Sequence, residues 1–150
     1  MENEIKISEL YQNFSMNFPE AADFWNQMSR EEEEHSNWIR EAMEMFKRGQ
    51  IKRGTTTLTS QAIDIAMKHV DSLGEKCRRG EISMLGAYAN AYDLENSLLE
   101  KKFFSVFALD LPAQKEIGDK LLRATQAHRE RLGEALSRIK ARKKVPAVPA

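Results

Sequence analysis

The sequence predicts an all-α fold, a bundle of five helices, on three observations. Apolar residues recur at helical spacing through long stretches, and proline, glycine and capping residues separate those stretches. In addition, the stretch from Pro19 to Arg48 is echoed near the C-terminus. A chain of 150 residues suits one domain with a real core. Residues 1–141 should form it, leaving 142–150 as a flexible, basic, proline-containing tail.

Residues 3–17 read as a short first helix, with Ile7, Leu10, Tyr11 and Phe14 on one face and Phe18 at its exit. Pro19 suits the first turn of the next helix, where its missing N–H costs nothing, and this second helix should reach about Lys47. Its apolar stripe comprises Phe24, Met28, Ile39, Ala42, Met43 and Phe46. Residues 49–57, with two glycines and a threonine cluster, read as a loop. A third helix starts at a Thr59 or Ser60 cap and carries Ala62, Ile63, Ala66, Val70 and Leu73 on one face. Lys76, Arg78 and Arg79 complement its dipole, and Gly80 suits its exit. Ser83 can cap a fourth helix to about Phe107. Leu85, Tyr88, Tyr92, Leu99, Phe103 and Val106 form its main stripe, flanked by Met84, Ala87, Leu94 and Leu98, which puts it at the centre of the packing. Asp110-Leu111-Pro112 makes the last turn, and a fifth helix follows to about Ala141.

Lys plus Arg and Asp plus Glu each number 23, so there is no global electrostatic case for nucleic acid or a membrane surface. The basic run from Arg138 to Lys144 reads as complementing a helix C-terminus. The single cysteine, Cys77, excludes an intrachain disulfide and a two-CxxC metal module, and it fits a reducing compartment. No signal-peptide core opens the sequence and no run approaches the roughly 18 apolar residues of a spanning helix. A cytoplasmic protein without membrane contact is the expectation.

Two polar residues interrupt the second helix's stripe. In Arg30-Glu31-Glu32-Glu33-Glu34-His35, Glu32 and His35 fall inside the apolar face, Glu33 and Glu34 fall outside it, and Glu31 lies near its edge. A buried carboxylate and imidazole are costly unless paired, and Glu-x-x-His on the inner face of a bundle helix is a common way to hold a metal. The fifth helix repeats this face at an offset of 93, with Pro19 on Pro112, Phe24 on Ile117, Met28 on Leu121 and His35 on His128. Ile39, Met43 and Phe46 then fall on Leu132, Leu136 and Ile139, but Glu32 falls on Thr125. If the first two helices form a hairpin about Phe18, Glu32 mirrors Glu4. Glu9 would be about five residues off in level, roughly 7.5 Å, and Glu2 would point to another face. The same symmetry about Asp110 sets Thr125 opposite Glu95. Glu4, Glu32, His35, Glu95 and His128 therefore converge on one level as candidate metal ligands.

Glu4 with Tyr11, the Phe-Pro-Glu and Phe-Trp segments, the Glu-Glu-Glu-Glu-His run, Ala-Tyr-Asp-Leu-Glu95 and Ala-His128-Arg-Glu-Arg-Leu together resemble one known pattern. It is that of the rubrerythrin-like branch of the ferritin-like di-iron carboxylate proteins. The resemblance implies a ferritin-like four-helix bundle with an extra helix in the crossover between its hairpins. It also implies iron, as a di-iron or a single-metal site, with manganese or zinc as other occupants, and redox chemistry on dioxygen or peroxide. Glu4, Glu32 and His35 would serve one metal, and Glu95 with His128 the other. Thr125 stands where the family has a bridging carboxylate, which favours a depleted site. Leu98 stands where peroxide-reducing members carry a further glutamate. Without rubredoxin-like Cys-x-x-Cys pairs, electrons would come from an external donor protein. The alternative is a bundle whose site has degenerated into a buried Glu/His network with a structural or partner-binding role. The aromatic stripes, including Tyr11, Tyr88 and Tyr92, read as core, and His69 as surface. A homodimer is expected, because the extra amphipathic helix and short first helix leave apolar edges to cover.

Overall fold

The computed structural model describes residues 2–49, 60–100 and 112–144. These residues are all-α. Helix α1 spans Glu2–Asn17, a 3-10 turn spans Pro19–Ala21, and α2 spans Ala22–Lys47. They are followed by α3 (Ser60–Arg78), α4 (Met84–Glu100) and α5 (Pro112–Lys144). All but Gly49 of the loop expected at 49–57, the far end of the fourth helix, the turn at Asp110-Leu111 and the tail from 145 lie outside the described residues. Helix α5 extends past Ala141, to Lys144. Among the described residues no helix is long and apolar enough to cross a membrane.

Local chemistry sets the boundaries. Phe18 N–H donates to Phe14 O at 2.9 Å, and Pro19 then opens the 3-10 turn that reverses the chain. At the end of α3, Glu81 N–H donates to Lys76 O and Gly80 N–H to Cys77 O, each at 2.9 Å. Gly80 has φ 70, so this is a Schellman ending that uses glycine's freedom in the left-handed region. Ser83 Oγ accepts the Gly86 N–H at 3.1 Å and caps α4.

Helices α1 and α2 pair as one hairpin and α4 and α5 as another. The hairpins meet along α2 and α5, and α3 lies against α1. The central position expected for the fourth helix falls instead to α1, which packs on both α2 and α3 while α4 packs chiefly on α5. Ile7, Leu10, Tyr11 and Phe14 are buried as the periodicity predicts and share one core with Trp25 of α2, whose ring packs on Tyr11 and Phe14. The buried face of α2 is Trp25, Met28, Ser29, Glu32, His35, Ser36, Ile39 and Ala42. Phe24 is only half-buried, and Met43 is 47% exposed, contrary to expectation. Ser8 Oγ of α1 meets Ser29 Oγ of α2 at 2.8 Å, which fixes the register of this hairpin. Ile39 and Ala42 stay buried because they face Ile117 and Leu121 of α5.

Candidate metal centre

Three helices meet at the buried polar group. Helix α2 supplies Glu31, Glu32 and His35, α4 supplies Glu95, and α5 supplies Thr125, His128 and Arg131. Glu32 and His35 are three residues apart, so both project from one face of α2. Glu32, His35, Glu95, Thr125 and His128 are all buried.

Glu32 stands between two imidazoles. Its Oε2 is 3.2 Å from His35 Nδ1 and its Oε1 is 2.8 Å from His128 Nδ1. His128 Nδ1 is also 3.2 Å from Glu95 Oε1, and its Nε2 is 2.7 Å from Glu31 Oε2. Arg131 grips Glu31 with both arms of its guanidinium, Nη1 to Oε1 at 3.0 Å and Nη2 to Oε2. The two imidazole rings stack with centroids 5.0 Å apart, and Trp38 lies 5.2 Å from the His35 ring. Tyr11 donates its hydroxyl to Glu95 Oε1 at 2.8 Å.

Both ring nitrogens of His128 face carboxylates, which only accept when ionised, so the metal-free ring is an imidazolium donating from both sides. Burial alone would lower its pKa. Hydrogen bonds to Glu31, Glu32 and Glu95 outweigh burial and hold it at about 11. Burial raises the Glu32 carboxyl, but bonds to His128 and His35 bring it down to about 2. Burial likewise raises Glu31, yet bonds to His128 and Arg131 leave it well below the usual carboxylate range. Glu95 is pushed up, first by burial and then by the negative charge of Glu32. Tyr11 is raised well above the ordinary phenol value by burial and by the charges of Glu95 and Glu32.

The donor set fits a metal ion. Glu32, His35 and His128 each offer one ligand atom, and these atoms lie within 4.8 Å of one another. With metal–ligand bonds of about 2.0–2.2 Å, donors around one ion stand roughly 3–4 Å apart, so modest side-chain rotation brings all three onto one ion. One carboxylate oxygen and two imidazole nitrogens suit iron, manganese or zinc. An ion would displace the proton on His128 Nδ1. Glu31 would keep the Nε2–H, the partnership that fixes the tautomer and aim of a ligating histidine.

Of the five residues singled out by the sequence, Glu32, His35 and His128 form this group, and Glu95 adjoins it through His128. Glu4 and Glu95 lie outside the three converging ligand atoms. Glu4 is buried on α1 one turn before Ser8, so the Ser8–Ser29 register puts it level with Glu32. Glu95, set opposite Thr125 by the symmetry about Asp110, reaches His128, one turn further along α5, with its carboxylate. The helical period places Glu31 at the edge of the inner face and gives no role to Arg131. The available signal was a cation one turn beyond His128 to answer that edge carboxylate. Comparison with protein-family models, with curated proteins and with solved structures found no match.

Proposed function

We propose that this chain binds a metal ion, iron before manganese or zinc, and that with iron or manganese bound it reduces dioxygen or peroxide with electrons from an external donor. The ion would be held by Glu32, His35 and His128, with Glu4 and Glu95 as further carboxylates in a ferritin-like, rubrerythrin-like bundle. The observation that carries this reading is the convergence of three buried donors, from helices far apart in sequence, within 4.8 Å. Thr125 supplies no carboxylate, which favours one ion over two. Bound iron or manganese supplies one-electron chemistry. The chain's part is to hold it away from water, aim His128 through Glu31, and offer Glu32 between both imidazoles.

Elemental analysis of untagged protein, after anaerobic loading with ferrous iron, tests this. About one ion per chain is expected, falling to background in His35→Ala and in His128→Ala. Absence of metal in the wild-type protein after loading would overturn the proposal. A second reading then follows from a specific observation: His128 is bonded to three carboxylates at once, so the network is internally satisfied as an ion-pair cluster. Such a cluster would make the bundle a structural or partner-binding module.

A further inference from the structure

A file of oxidisable rings leads from the buried centre to a surface cleft. Tyr11 bonds to Glu95, and its ring centroid is 5.5 Å from that of Trp25. Trp25 in turn lies 4.6 Å from Tyr88, which lines an open cleft of about 480 Å³ together with Phe24, Ile139, Arg138 and Arg142. Tyr11 and Trp25 are fully buried and Tyr88 is 5% exposed, so the file is dry until it reaches the cleft.

Packing alone does not explain the polar atoms of this file. Among the described residues Trp25 Nε1–H is buried without an acceptor, a desolvation cost that phenylalanine would avoid. An indole without an acceptor has a use, because it can lose an electron and still keep its proton. Tyr11 is built in the opposite way. Its hydroxyl points at a carboxylate oxygen that can take the proton when the phenol loses an electron and return it afterwards.

We propose that Tyr11, Trp25 and Tyr88 form a one-electron relay between the cleft and the metal centre, resting on the metal-binding reading given above. The electron acceptor is a redox-active ion at the centre, and the donor is a one-electron reductant at the cleft. When Tyr11 gives up an electron, its phenolic proton moves to Glu95. Trp25 refills Tyr11, the proton returns from Glu95, and the hole rests on Trp25 as a radical cation. Tyr88 refills Trp25, giving up its phenolic proton to water in the cleft. The external reductant then restores Tyr88, which takes a proton back from water. The net result is one electron moved inward and no proton gained or lost by the chain.

The relay is testable without the metal. In a Cys77→Ala background, Arg142→Cys carries a ruthenium polypyridyl photo-oxidant beside the cleft, and flash-quench followed by radical spectroscopy locates the hole. With all three rings present the hole should reach Tyr11 as a neutral tyrosyl radical, told from one on Tyr88 by the hydrogen bond that Glu95, holding the transferred proton, donates to it, read in its EPR g-tensor. Tyr11→Phe should abolish that Glu95-bonded signal. Trp25→Phe and, separately, Tyr88→Phe should lower its yield at least tenfold, and the less deeply buried Tyr88 guards against a folding defect at Trp25. An equal tyrosyl yield in the parent, Trp25→Phe and Tyr88→Phe proteins would overturn the relay. So would a Glu95-bonded tyrosyl signal that survives Tyr11→Phe. Elemental analysis reports separately on the metal, so failure of the relay and failure of the metal reading are told apart.

Discussion

Metal binding at this centre should be driven by pH, because the ion and a proton compete for His128. With its pKa held at about 11, the His128 imidazolium is four units above a working pH of 7. At about 1.4 kcal/mol per unit, clearing the proton from Nδ1 costs about 5 kcal/mol, which the metal–nitrogen bond must offset. Glu32 and Glu31 add nothing to this cost at pH 7, since both are held below the usual carboxylate value and are already ionised. One proton should therefore leave per ion bound, and apparent affinity should rise about tenfold for each pH unit between 6 and 8. Calorimetric titration with zinc or manganese in buffers of different ionisation enthalpy measures both quantities. An affinity independent of pH, or binding without proton release, would refute the reasoning and remove His128 from the ligand set.

Four further outcomes follow from the same geometry. Glu31→Gln should weaken metal binding about 10- to 100-fold without removing a ligand, since it loosens the aim of His128; metal titration at fixed pH measures it. Thr125→Glu should raise the stoichiometry by supplying the missing carboxylate, and elemental analysis would show no gain if the register of α5 is misread. In metal-free protein the raised pKa of His128 contributes stability that is complete below about pH 6.5 and lost as pH rises through about 11. The depressed Glu32 contributes stability present above about pH 4.5 and lost as pH falls to about 2. Melting temperature across both windows, with a chelator present, should be flattened on the alkaline side by His128→Leu. Gly80→Ala should cost about 1–2 kcal/mol in urea unfolding, because alanine is strained at φ 70.

The helices were legible because their signals are local. Pro19, Gly80 and Ser83 act on the few bonds beside them, and the faces of α1 and α3 follow from a 3.6-residue period that each segment carries alone. The echo of His35 in His128 marked the buried imidazoles for the same reason: a polar residue on an apolar face is visible without knowing what it faces. Met43 shows the limit. Its place in the apolar stripe predicts burial, but the buried face of α2 runs through Ile39 and Ala42 against α5, and Met43 turns about 100° past Ala42.

The sequence alone therefore determined an all-α chain with two histidines and several glutamates turned inward at fixed places on their own helices. Tertiary structure decided their partners. That Glu95 reaches His128 depends on how α4 and α5 pack, which the periodicity of neither helix specifies. Glu31 owes its role to Arg131, a hundred residues away, and Tyr11 owes its role to Glu95. Such pairings arise only when separate helices pack, because hydrogen bonds and ion pairs act over a few ångströms of space and carry no trace in a single helix's own pattern.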